Sequence, residues 1–295
     1  MFESKIVEGI KAGERKALAS LLSICEDDPE KANSILNSFE RRPSHVVGIT
    51  GSPGVGKSSL INAILNGSKE KKIGVIAIDP SSPFTGGALL GDRIRMQSHA
   101  TSENFFIRSF ASRGALGGLS PSIFEACNAF EAFGMDMILI ETVGVGQSDI
   151  EIANVADTVV VLLSADGGDE VQMMKAGLME IADIFVVNKA DNIMSRNLLS
   201  KLKATIEMGK KEIPVFMTNA IQDEGVDELL KGLDERFKTI SMDGTLEQRR
   251  KMRFFDHVRS SVRREIDMIM QKIDLSEFDF YGLKKKVMEE LCKRS

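Results

Sequence analysis

The sequence predicts an α/β protein, with a mostly parallel central sheet flanked by helices and helical extensions at both ends. Three observations carry that expectation. Short, wholly apolar runs alternate with stretches of helical periodicity between His45 and about residue 240. Strands buried on both faces read as such runs, and strands separated by helices pair in parallel. One of the runs leads directly into a glycine-rich turn that opens a helix. On either side of this alternation, the apolar residues recur at helical spacing alone.

In chain order, Ile6, Ile10, Leu18, Leu21, Leu22 and Cys25 mark helices within residues 2–40. Asp28-Pro29 is a start signal for a further helix running to Phe39. Arg41-Arg42-Pro43-Ser44 breaks the pattern as a linker. The strand candidates are His45–Thr50, Ile73–Asp79, Phe105–Phe110, Met137–Glu141, Thr158–Ser164, Ile184–Asn188 and Pro214–Thr218. Helical patterns fill Ser120–Phe133, Asp169–Ile181 and Ser195–Met208. Met252, Phe255, Val262, Ile266, Ile269 and Ile273 then form an apolar stripe on one long helix, beside many arginines. The basic residues suit a solvated face, and the stripe suits packing against a second copy of the chain. The expected organisation is a helical extension over 1–44, a nucleotide-binding domain over 45–240 and a C-terminal helical dimerisation region over 241–295.

Composition narrows the function classes. The 295 residues are 43% hydrophobic and 27% charged, an ordinary balance for a packed core. The net charge of -5 argues against a general nucleic-acid binder. Apolar runs such as Thr158–Ser164 are far short of the roughly 18 residues that span a bilayer, so no membrane partner is expected. Cys25, Cys127 and Cys292 are scattered, without a CxxC pair, as expected of buried thiols in a reducing compartment. No secretory leader is visible, and the expected location is the cytoplasm.

The chemistry concentrates after the strands. Gly51-Ser52-Pro53-Gly54-Val55-Gly56-Lys57-Ser58 is G-x-x-x-x-G-K-S between a strand and a helix, a phosphate-binding P-loop that continues through Ser59. Its glycines let backbone N–H groups surround phosphate oxygens, and the helix start adds the positive end of its dipole. Lys57 can reach the β- and γ-phosphates, and the Ser58 hydroxyl can ligate Mg²⁺. The fold is therefore a P-loop NTPase. Asn188-Lys189-Ala190-Asp191 follows a later strand as N-K-x-D, in which the Asp carboxylate accepts from guanine N1–H and its exocyclic amine. Adenine would leave that carboxylate unpaired. Thr218-Asn219-Ala220 ends the next strand, where a loop backbone meets the guanine O6. Glu141-Thr142-Val143-Gly144 ends an apolar strand in an acid, placing Glu141 on Mg²⁺ through water and the Gly144 N–H near the γ-phosphate. Asp79 and Asp92 also fall at positions on the phosphate side, which favours Mg²⁺-shell or water-positioning roles over the helix cap that Asp92 could otherwise be, and the sequence does not decide which of the two positions the water. GTP, GDP and Mg²⁺ are thus the expected ligands.

On these stretches the sequence resembles the MeaB/ArgK family of P-loop GTPases, chaperones associated with methylmalonyl-CoA mutase. The run from Asp79 to Met96, Glu141–Ser148, the P-loop and the N-K-x-D box all match the family pattern. The resemblance implies GTP hydrolysis coupled to cofactor loading and protection of an adenosylcobalamin-dependent acyl-CoA mutase. It also implies a homodimer formed through the C-terminal helices. By position, it makes Lys57, Ser58, Asp79, Asp92 and Glu141 the phosphate and Mg²⁺ residues. Asp166–Lys175 resembles the family's loop toward the mutase, although Ser164-Ala165-Asp166 stands where the family has a proline-containing start. Two other readings remain: a kinase or ATPase of an amino-acid (LAO/AO) transport system, and a metallochaperone GTPase. The second is discounted because His45, His99 and His257 are far apart.

Overall fold

The computed structural model describes residues 2–40, 42–79, 102–111, 121–144, 148–166, 177–210, 212–273 and 278–293. The expected linker residue Arg41, Asp92, and most of the Asp169–Ile181 helical pattern lie outside these residues. The chain divides into two compact units, residues 1–247 and 248–295.

The first unit opens with three helices, α1 (Phe2–Lys11), α2 (Arg15–Asp27) and α3 (Pro29–Leu36). On α2, Ala17, Leu18, Leu21, Leu22 and Cys25 are buried along one face, as their spacing requires. Proline stands at the first position of α3, and the Asp28 carboxylate accepts from the Lys31 N–H at 3.0 Å. That is the cap the Asp-Pro pair announces.

Seven strands follow among the described residues: β1 (His45–Thr50), β2 (Ile73–Asp79), β3 (Phe105–Ala111), β4 (Met137–Glu141), β5 (Thr158–Leu163), β6 (Ile184–Val187) and β7 (Val215–Met217). They form one sheet in the order β3-β2-β4-β1-β5-β6-β7, and every pair is parallel. The helices between these strands are α4 (Lys57–Gly67), α5 (Pro121–Phe133), α6 (Ser148–Glu151), α7 (Leu178–Ile181) and α8 (Met194–Met208), and α9 (Val226–Met242) follows β7. Each strand boundary falls within one residue of its sequence expectation.

The two sheet faces carry separate cores. Val46, Ile138, Ile140, Val159, Val161 and Phe185 pack with residues of α1–α3, α5 and α8. Their neighbours Val47, Ile49, Leu139, Val160 and Val186 point the other way and pack with α4 and α9. Every residue of β1, β2, β4, β5 and β6 is buried. At roughly 1.5–3 kcal/mol per fully buried aliphatic side chain, these two layers dominate stability.

Polar residues close the amino ends of the strands. The buried Asp157 carboxylate accepts from the Val46 N–H at 3.0 Å. Asp183 accepts from the Val159 N–H at 3.0 Å and from Arg236 at 2.7 Å. His45, at the start of β1, lies 2.8 Å from the Thr158 hydroxyl and stacks on Phe237 with ring centroids 4.5 Å apart.

The chain leaves β1 toward β2 on one side and later crosses from β4 to β5 on the other. A sheet wound this way opens a crevice at the carboxyl ends of the strands beside the reversal. The second unit holds most of α10 (Thr245–Met270), together with α11 (Phe280–Cys292). Of the expected stripe on α10, Ile269 is buried, whereas Met252, Phe255 and Val262 are exposed.

Candidate nucleotide site

The carboxyl ends of β1, β2, β4, β6 and β7 each deliver a candidate residue. Together they bound one cavity of about 700 Å³, within the ~300–1,000 Å³ range of small-molecule sites. Pro53, Gly54, Gly56, Lys57, Ser58 and Ser59 line it from the P-loop, with Asp79 and Glu141 from the strand ends. Asn188, Lys189 and Asp191 line it from the loop after β6, and Asn219 and Ala220 from the loop after β7. Gly51, Ser52, Val55, Gly144 and Thr218 are not among the lining residues, but each touches one that is.

The P-loop is held by its own lysine. Lys57 Nζ donates to the carbonyls of Gly51 at 2.7 Å and Ser52 at 3.2 Å. Gly56 is left-handed (φ 100°) and immediately precedes α4. A Cβ there would strike the Asn188 amide, so only glycine allows this turn to sit so close to the N-K-x-D box. The start of the eleven-residue α4 presents N–H groups and a positive dipole end to the cavity, an arrangement that suits phosphate.

Three oxygen-bearing side chains gather beside this loop. Ser58 Oγ donates to Glu141 Oε1 at 2.6 Å, and both residues are buried. Asp79 ends β2, also buried, on the same cavity. A hydroxyl and two carboxylates make a hard-oxygen donor set, the kind Mg²⁺ takes while keeping several waters and substrate phosphates as its other ligands. Among the described residues, no group of three or more His, Cys, Asp or Glu side chains could hold a metal unaided.

The other end of the cavity is organised by Asn188. Its Nδ2 donates to the Val55 carbonyl at 2.9 Å. Its Oδ1 accepts from Thr218 Oγ1 at 3.0 Å and from the Ala220 N–H at 3.1 Å. This one buried side chain thus joins the P-loop to the loops after β6 and β7. Asp191 stays exposed toward the cavity, open to a ligand. Asn219 Nδ2 donates to Gln222 Oε1 at 2.7 Å, folding the last loop back on itself.

Four further residues lie at the cavity or directly behind it, although their chemistry does not stand out in the sequence. Asp166, at the end of the described stretch after β5, accepts from Lys189 Nζ at 2.9 Å and from Asn192 Nδ2 at 2.6 Å. The hydrogen bond and the charge of Lys189 hold its carboxyl below the usual aspartate range. Thr50 and Thr142 both donate to the buried Asp149. A buried acid early in a short helix looks like a cap in sequence, and only its partners, 99 and 7 residues away, distinguish it.

Comparison with known proteins identifies the family. A family model described as methylmalonyl-CoA mutase-associated GTPase MeaB matches residues 18–274. A putative GTPase of Pyrococcus horikoshii is 41% identical over 93% of this chain and 90% of its own length. The mitochondrial methylmalonic aciduria type A homolog of Caenorhabditis elegans is 36% identical over 91% of this chain and 74% of its own. GTPase ArgK of Escherichia coli is 33% identical over 88% and 83%. Among solved structures, that of a LAO/AO transport system kinase superposes with a TM-score of 0.70 at 23% identity, covering 98% of this chain and 97% of its own. At that identity the likeness speaks for the fold alone.

Proposed function

The chain belongs to the MeaB family of methylmalonyl-CoA mutase-associated GTPases, and from that premise we propose that it is a GTP-operated chaperone. Its client would be an adenosylcobalamin-dependent acyl-CoA mutase whose cofactor loading it gates and protects. Binding of guanine nucleotides and hydrolysis of GTP to GDP and phosphate come with membership of the family. The observation that carries the site assignment is the single cavity in which Lys57, Ser58 and Glu141 meet Asn188 and Asp191.

In this reading the triphosphate lies along Gly51–Ser59, with Lys57 exchanging its loop carbonyls for β- and γ-phosphate oxygens. Asp191 accepts from guanine N1–H and N2–H, and the loop of Thr218, Asn219 and Ala220 borders the base. Mg²⁺, when bound, withdraws charge from the phosphates, and Ser58, Asp79 and Glu141 are the residues that would hold it. Water attacks the γ-phosphorus in line, forming one P–O bond as the bond to the β–γ bridging oxygen breaks. Asp79 or Asp92 orients that water or the metal's water shell. Loss of the γ-phosphate then releases the loops after Asp79 and Glu141, a change a partner can read.

The exposed Met252, Phe255 and Val262 of α10 suit a homodimer through the C-terminal helices. No helix among the described residues is long and apolar enough to cross a membrane. Cys25 and Cys127 are buried as the sequence leads one to expect, whereas Cys292 is exposed.

Two experiments test this. Phosphate release from GTP should far exceed release from ATP, and equal rates would remove the guanine assignment. A cobalamin-dependent mutase should co-purify with the chain in a manner that changes with a non-hydrolysable GTP analogue. Indifference to the nucleotide would remove the chaperone cycle.

A further inference from the structure

Behind the nucleotide cavity, the carboxylate of Asp149 draws together two strand ends. Its Oδ1 accepts from Thr50 Oγ1 at 2.8 Å and from Thr142 Oγ1 at 2.7 Å, and the two hydroxyl oxygens are 3.2 Å apart. Thr50 and Thr142 are 0% and 2% exposed and Asp149 only 6%. Burying a carboxylate is expensive unless hydrogen bonds replace its water, so its two hydroxyl partners keep it there.

The two donors are telling. Thr50 is the last residue of β1, directly before the P-loop, and Thr142 directly follows Glu141. The Thr142 N–H also donates to the Ile49 carbonyl at 3.2 Å. Two residues further on, Gly144 is left-handed (φ 89°), and a Cβ there would strike Lys57 Nζ and lie 2.6 Å from the Gly51 carbonyl. The turn from Thr142 to Gly144 therefore rests directly on the P-loop and its lysine. Asp149 ties down the other side of the same turn.

We propose that Asp149 is a positioning residue for GTP hydrolysis. Through Thr142 it holds the turn carrying Gly144 in register with the P-loop, so that the γ-phosphate meets a preformed contact. The inference rests on the phosphate-site reading above. Asp149 does not line the nucleotide cavity; it acts through the two threonines.

The test uses the full chain with Asp149→Ala, Asp149→Asn, Thr142→Val and Thr142→Ser. Three quantities are measured on each: GTP turnover, affinity for GDP and affinity for a non-hydrolysable GTP analogue. Asp149→Ala and Thr142→Val should each lower kcat about ten- to a hundredfold, the scale of a small misplacement. Both should weaken the triphosphate analogue while leaving GDP affinity nearly unchanged. Asp149→Asn keeps an acceptor oxygen and Thr142→Ser keeps the hydroxyl, so both should recover most of the loss. The combined Asp149→Ala/Thr142→Val variant should be no worse than either single change.

Unchanged kcat, or an equal loss of GDP and analogue affinity, overturns the proposal. If Asp149→Ala fails to fold, the contrast between Thr142→Val and Thr142→Ser decides the question by the same readouts. Lys57→Ala run alongside separates the two levels. Persisting turnover there would sink the phosphate-site reading itself. Lost turnover there, with Asp149 and Thr142 variants unaffected, would sink this inference alone.

Discussion

Ser58 Oγ donates to Glu141 Oε1 at 2.6 Å, joining the first turn of α4 to the end of β4. The bond sets the spacing between a hydroxyl and a carboxylate that the proposed mechanism places around Mg²⁺. Glu141→Gln keeps an oxygen for Ser58 but removes the negative charge. GTP turnover should fall about a hundredfold, the usual cost of one preorganised electrostatic group, and half-maximal activity should need more Mg²⁺. The unfolding midpoint should barely move. Phosphate release followed across a magnesium titration decides it, and an unaltered titration curve would remove Glu141 from the metal site.

Asn188 should matter for stability as much as for binding. Its side chain makes three buried hydrogen bonds, to Val55, Thr218 and Ala220. Asn188→Ala removes all three and strands their partners, at a cost of roughly 3 kcal/mol. For a unit of this size that corresponds to a melting point lower by about 6–12 °C. Thr218→Val removes one donor and should cost about 1 kcal/mol. Thermal melts of the two variants without nucleotide test the ranking; equal midpoints would show that Asn188 is not the joint the contacts describe.

The strands are legible in the sequence because parallel strands buried on both faces leave continuous apolar runs, as in Met137–Glu141 and Thr158–Leu163. The P-loop and N-K-x-D residues are legible because their spacing follows from the phosphate and base that the proposed function sets against them. Asp28-Pro29 announces α3 correctly, but the helix stops at Leu36 rather than Phe39, since no residue there signals the end. The stripe on α10 reads as one face, yet Ile269 is buried while Met252 and Phe255 are exposed. Periodicity shows that residues share a face, not what covers each of them. Asp149 is not legible because its meaning depends on Thr50, 99 residues earlier. Asp92 lies outside the described residues, so its choice against Asp79 rests with experiment.

Asp166 offers a prediction in pH. Its carboxyl titrates below the ordinary 3.8, because of the hydrogen bond and charge of Lys189. The unfolded chain therefore binds a proton at higher pH than the folded chain. The pair's contribution is complete above the unfolded value and disappears as pH falls through the lowered folded value. Asp166→Asn lacks that contribution at every pH. Its melting point should lie slightly below the parent's at neutral pH, and the gap should close as pH falls below the unfolded value and through the lowered folded one. A gap that widens on acidification would show that Lys189 does not hold this carboxylate.

Asp191 should decide which base is accepted. It is exposed to the cavity beside Asn188, whose own amide makes three hydrogen bonds within the protein. As a carboxylate it only accepts, which matches the two adjacent donors of guanine, N1–H and N2–H. Asparagine at this position would offer one acceptor and one donor. Guanine would then face its exocyclic amine with an amide N–H, and a mismatched buried donor commonly costs a hundredfold or more, roughly 3 kcal/mol. Xanthine carries N1–H beside a carbonyl, which pairs with an amide on both atoms. Asp191→Asn should therefore lose GTP turnover at low substrate and gain turnover of xanthosine triphosphate, with kcat at saturation little changed because the phosphate end is untouched. The comparison of kcat/KM for the two nucleotides, before and after substitution, is the measurement. If the preference for GTP survives the exchange, the base is read by some other group, and the N-K-x-D assignment loses its central residue.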